Sequence, residues 1–128
     1  MKRSHSLGEL QLAIMRILWQ QGEATVAEVH TRLLEERGLA PTTVATMLVK
    51  MEKKGVVAHR NEGRKFVYHP TITEEQVRRS MVDELTERVF AGNATALVAH
   101  LVTEQEIDAD ELEKLKQLIR QHEEKEER

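Results

Sequence analysis

Cysteine is absent from this 128-residue chain, which removes disulfides, thiolate metal sites and cysteine nucleophiles in one step. The absence leaves the redox compartment open and is compatible with a cytosolic setting. Aromatic residues make up only 3% (one Trp, one Tyr, two Phe), so a core has to be built from Leu, Val, Ile and Met. No apolar run approaches the roughly 20 residues that a membrane-spanning helix needs. The basic start Met-Lys-Arg-Ser-His-Ser has no apolar segment of signal-peptide length behind it, so a cytoplasmic chain without membrane insertion is expected. A phosphate-binding glycine loop, a paired acid/base frame and a nucleophile motif are missing too, and the six glycines all fall at expected helix ends or turns. The histidines His5, His30, His59, His69, His100 and His122 are scattered without a His-x-x-x-His pair. Neither an enzyme nor a metal or cofactor site is expected.

What is present is a soluble composition, 40% hydrophobic and 32% charged, of a length that suits one domain or a small domain with an appendage. The net charge of -3 is unevenly distributed. Residues 1–70 hold 11 Lys+Arg against 7 Asp+Glu, and residues 71–128 hold 8 against 15. A basic first part and an acidic second part point to segments with different tasks.

Periodicity predicts a first helix from Ser6, with Ser6 and Glu9 as a capping box. Leu10, Ile14, Ile17 and Leu18 form its main apolar face, and Leu12, Met15 and Trp19 a second stripe. A helix apolar on two sides is covered on two sides, by its own domain and by something else. A second helix opens with the capping box Thr25/Glu28, buries Val26, Val29, Leu33 and Leu34, and closes at Gly38. Pro41 suits the first position of a third helix that runs to Lys54 and stops at Gly55. Val56 to Arg60 and Lys65 to His69 read as two strands around an Asn61-to-Arg64 turn. After the boundary at Pro70 and Thr71, a fourth helix begins at Thr73/Gln76 and a short fifth follows the Gly92-Asn93 break. A last helix begins at Asp108/Glu111.

The expected fold class is mainly α with a small two-stranded β wing. A winged helix-turn-helix over 1–70 is followed by an α-helical dimerisation segment over 71–122 and a frayed charged tail over 123–128. Fewer than about 60 residues in the helical segment bury too little surface alone, so its stripes are expected to meet a second copy of the chain. The dimerisation residues are Val77, Met81, Leu85, Val89, Leu97, Leu101, Leu112, Leu115, Leu118 and Ile119.

The third helix carries the clearest functional pattern. At 100° per residue, Val44, Met47, Leu48 and Met51 share one narrow face. Thr42, Thr46, Lys50 and Lys53 lie opposite, with Thr43 beside them. Hydroxyls can reach base edges and ammonium groups can reach phosphates, which suits an element lying in a DNA major groove. The expected DNA-binding residues are therefore Thr42, Thr43 and Thr46 for bases and Lys50, Lys53 and Lys54 for phosphates. Arg60, Arg64 and Lys65 on the wing would meet the backbone or minor groove. Two other classes fit the same fold: a winged-helix protein-interaction module and a small-molecule-sensing winged-helix regulator.

The order of motifs resembles one family. Leu7-Gly8-Glu9-Leu10 with Ile17-Leu18-Trp19, Ala24 to Val29, Pro41 to Leu48, Lys53-Lys54-Gly55, the wing Gly63 to Tyr68, and Gly92-Asn93 ahead of Leu97-Val98 resemble the penicillinase-repressor family of winged-helix regulators. The resemblance implies a cytoplasmic dimer that represses transcription from a palindromic operator with TACA/TGTA-type half-sites. It also implies a membrane sensor protease system as a regulatory partner, with cleavage at an Asn-Phe pair in the dimerisation helices. His100-Leu101 stands at the aligned position, so that cleavage site is not carried over. Relatives that hold Cu(I) do so through C-terminal cysteines, which this chain lacks.

Overall fold

Each helix of the chain starts or stops where its end groups can be satisfied. The computed structural model describes residues 7–127. Helix α1 (Glu9–Gln21) is capped two residues later than the sequence pattern suggests, with Gly8 at the cap and the Gln11 side chain accepting from the Gly8 N–H at 3.4 Å. Ser6 lies outside the described residues. Helix α2 (Val26–Arg37) has the expected reciprocal cap. The Glu28 N–H donates to Thr25 Oγ1 at 3.2 Å, and the Thr25 N–H donates to Glu28 Oε1 at 3.0 Å. Helix α3 (Pro41–Lys54) begins on its proline and ends at Gly55, whose φ of 86° is the left-handed conformation glycine takes without strain.

The sheet has three strands, not two. β1 (Ala24–Thr25), β2 (Val57–Glu62) and β3 (Lys65–Pro70) are antiparallel in the order β1-β3-β2. β1 adds to the hairpin through Ala24 opposite Tyr68 and Thr25 opposite Val67. Two residues are too few for an alternation to show, which is why the sequence pattern hides this strand. The hairpin pairs through to Glu62 opposite Lys65, so the turn is only Gly63-Arg64. Gly63 sits at φ 63°, matching the two-residue turn that needs glycine first.

A first compact unit runs to Leu85 and a second begins at Thr86, a division that falls within helix α4 (Glu74–Phe90). The first unit therefore extends beyond residue 70. Its core joins Ile14, Met15 and Leu18 of α1, Val29 and Leu33 of α2, and Val44, Leu48 and Met51 of α3 with Val56, Val57, Tyr68 and Val77. Val77, expected at a surface that meets a second copy of the chain, is 2% exposed and fills the core of the first unit, with Met81 packed on the same cluster. That also accounts for the second stripe of α1. Leu12 and Trp19 share a shallow groove with Val77 and Met81, and Trp19 Nε1 donates to the Ile72 carbonyl at 2.9 Å. The second cover of α1 is the start of α4.

The second unit contains helices α5 (Ala94–Glu104) and α6 (Ala109–Glu126). Asn93 and Asp108 cap them by accepting from the Ala96 and Glu111 amides at 3.0 and 2.8 Å. Helix α6 continues into the charged stretch as far as Glu126. Glu and Lys are good helix formers, and His122 approaches Glu126 one turn on at 3.6 Å. Arg128 is outside the described residues. None of the residues from 86 to 127 is buried. Among the described residues, no helix is long and apolar enough to cross a membrane.

Candidate nucleic-acid interface

The stripe of α3 that locks into the core fixes what its other side presents. Val44, Leu48 and Met51 are fully buried and Met47 is half-buried, while Thr42, Thr43, Thr46, Lys50, Lys53 and Lys54 are all exposed. The turn before α3 is held by His30, whose Nε2–H donates to the Leu39 carbonyl at 2.7 Å. Behind it, the Gly55 carbonyl accepts from Thr71 Oγ1 at 2.7 Å. Both ends of the helix are thus pinned to the unit that carries it.

The threonines divide by what their hydroxyls do. Thr31 on α2 and Thr103 on α5 turn back to the carbonyl of Ala27 and Ala99, each at 2.9 Å. Among the described residues, the hydroxyls of Thr42, Thr43 and Thr46 have no such partner. They are left able to donate to or accept from a base edge. Lys50 and Lys53 likewise make no ion pair among the described residues, while the Lys54 ammonium reaches Gln11 Oε1 at 3.5 Å.

The wing carries cations of two kinds. Arg64 at the turn and Lys65 beside it are exposed and make no ion pair among the described residues. Arg60 is different: its guanidinium donates to Glu23, just ahead of β1, and to Glu62 on its own strand at 3.0 Å. The Arg60 guanidinium holds the Glu23 carboxyl below the usual carboxylate range, and Glu23 in turn raises Arg60. Arg60 therefore enters the interface already neutralised, unlike Arg64 and Lys65.

Another interaction ties the wing to α3. His59 Nδ1 lies 2.5 Å from Glu52 Oε1, and the His59 ring stacks on Phe66 with centroids 4.3 Å apart. Burial, with the Glu52 carboxylate behind it, pushes the Tyr68 hydroxyl above its ordinary value. Glu52, His59, Phe66 and Tyr68 make the wing and the helix one piece.

The sequence pattern missed one member of this surface. Val49 is 46% exposed, three residues beyond Thr46 and seven beyond Thr42, on the face opposite the buried stripe. Its position on the helical wheel was the available signal, but an apolar side chain among threonines and lysines does not look like part of a polar face.

Comparison with known proteins bears on this surface. The family described as "Penicillinase repressor" matches residues 7–121. "Transcriptional regulator BlaI" of Mycobacterium tuberculosis is 36% identical over 115 residues, 88% of this chain and 82% of that protein. "Penicillinase repressor" of Bacillus licheniformis is 27% identical over 122 residues, 95% of each chain. The solution structure of the Bacillus licheniformis BlaI monomeric form in complex with the blaP half-operator superposes with a TM-score of 0.50 at 35% identity. That match covers 59% of this chain and 92% of the other.

Proposed function

The chain belongs to the penicillinase repressor family, and from that membership we propose that it represses transcription as a homodimer on a palindromic operator, one winged head per half-site. It is a DNA-binding transcriptional repressor and not an enzyme. The observation that carries the reading is the outer face of α3, where, among the described residues, the hydroxyls of Thr42, Thr43 and Thr46 have no partner and Lys50 and Lys53 make no ion pair. Thr42, Thr43 and Thr46 read bases, Lys50, Lys53 and Lys54 meet phosphates, and Arg64 and Lys65 anchor the wing. Arg60 braces the wing through Glu23 instead of meeting DNA itself.

Dimerisation is supported by what the second unit lacks. Val89, Val98, Leu101, Leu118 and Ile119 are 44–65% exposed, and none of the residues from 86 to 127 is buried. Helices with apolar stripes and no core of their own call for a partner surface, and a second copy supplies one. The relative solved on DNA is a monomeric form in complex with a half-operator, which fits one head per half-site.

The protein works with the DNA in the cytoplasm. A membrane sensor protease fits as the upstream partner, but His100-Leu101 is exposed within helical α5 and is not an Asn-Phe pair, so no cut is placed there. Gel-shift titration of the full-length chain on a TACA/TGTA palindrome and on its scrambled counterpart tests the reading. The palindrome should bind at least about 10³-fold more tightly at physiological salt. Equal affinity for the two duplexes would reject an operator-specific repressor.

A further inference from the structure

Val49 is an apolar side chain in the middle of a polar, DNA-facing surface. It shares its face with Thr42, Thr46 and Lys53, and the core stripe of Val44, Leu48 and Met51 lies on the other side of α3. Its exposure of 46% leaves its methyl groups facing outward. A β-branched side chain in a helix is held in one strongly preferred rotamer, so it loses little freedom when it docks. The major groove is lined with hydrogen-bonding groups, and the C5 methyl of thymine is the apolar feature that it offers. Lys53 lies one turn on along the same face, with Lys50 further round on that side, and both would hold the helix on the phosphates while Val49 reaches the groove floor.

We propose that Val49 reads a thymine methyl group in the major groove, as a specificity-determining residue beside the threonines. This assignment rests on the repressor reading above. It gives the surface a way to separate thymine from cytosine that hydroxyls, which accept and donate alike, do not provide.

The test uses the full-length chain and the tightest duplex it enriches from a random-sequence library. Each thymine is replaced in turn by deoxyuridine, which deletes the methyl and leaves base pairing intact. Wild-type protein should lose about fourfold in affinity per half-site at one thymine position, the effect of removing one buried methyl group. Val49→Ala should lose nothing further at that position while keeping its response at the others, the signature of a direct pair. Alanine is the better helix former, and unchanged helical circular dichroism will show that α3 is intact. If Val49→Ala and wild type respond alike to every replacement, or if no replacement weakens wild type, the assignment is wrong. A chain that enriches no duplex at all overturns the repressor reading with it, so the two failures are told apart.

Discussion

Lys50, Lys53 and Arg60 carry the same formal charge but differ in what already neutralises it. The lysines stand on the outer face of α3 without an ion pair among the described residues, while Arg60 is held by Glu23 and Glu62. Removing one cation from a phosphate should flatten the dependence of log K on log salt by about 0.9. Lys50→Ala and Lys53→Ala, each removing one cation from both heads of the dimer, should therefore each reduce the slope by about 1.8 and weaken all duplexes alike. Arg60→Ala should leave the slope nearly unchanged, and fluorescence titrations over a salt series will read the difference. The same pair carries a pH prediction. The Glu23 carboxyl is depressed in the folded chain. The stabilisation it gives is therefore present above the ordinary glutamate value and is lost as pH falls through the folded one. Glu23→Gln should lower the melting temperature slightly near neutral pH, where the wild-type pair is intact, and flatten its fall below about pH 4.5 until the two proteins converge in acid. Identical acid limbs for the two proteins would show that the pair contributes nothing.

At the scale of elements, the parts of the fold legible in the sequence are those that local chemistry decides. Thr25 with Glu28, Thr73 with Gln76, Asp108, Pro41, and the glycine ends at Gly38 and Gly55 all act within a few residues of their own position. What stayed hidden depends on distant partners. β1 exists only because Tyr68 and Val67 are there to pair with it. Val77 looks like any member of a stripe until the core that takes it in is assembled. The pairing of Arg60 with Glu23 spans 37 positions, beyond any periodic signal. The outer face of α3 was legible for the converse reason: one helix carries it whole, and only Val49 was hidden by its apolar character. Gly55 gives a direct test at this scale. A Cβ there would meet nothing within 4 Å, so a side chain is opposed by the φ of 86° and not by crowding. Gly55→Ala should lower stability by about 1 kcal/mol. Gly55→Asn should lower it less, because asparagine visits the left-handed region more readily. Equal losses in denaturant melts would mean that something other than backbone conformation is at work.

At the scale of the whole molecule, the proposed reading of DNA and the proposed pairing of subunits fall to different stretches of chain, which allows one to be broken without the other. The core of the first unit, from Leu7 to Val77, includes nothing from beyond residue 85. Leu118 and Ile119, in contrast, are 62% and 55% exposed on α6, where no residue is buried. Leu118→Asp would place a charge without a partner in the proposed dimer interface, a penalty of several kcal/mol that the association would have to overcome. The expected result in analytical ultracentrifugation is a monomer. The thermal transition of the winged-helix unit should survive, because its own packing is untouched. On a palindromic duplex, affinity should fall towards that for a single half-site, since the second head no longer arrives at a high effective concentration. The salt slope per bound particle should also halve, because one head neutralises half the phosphates. A Leu118→Asp protein that still sediments as a dimer would move the interface elsewhere. One that sediments as a monomer yet keeps the full slope would show that the two heads never sat on DNA together.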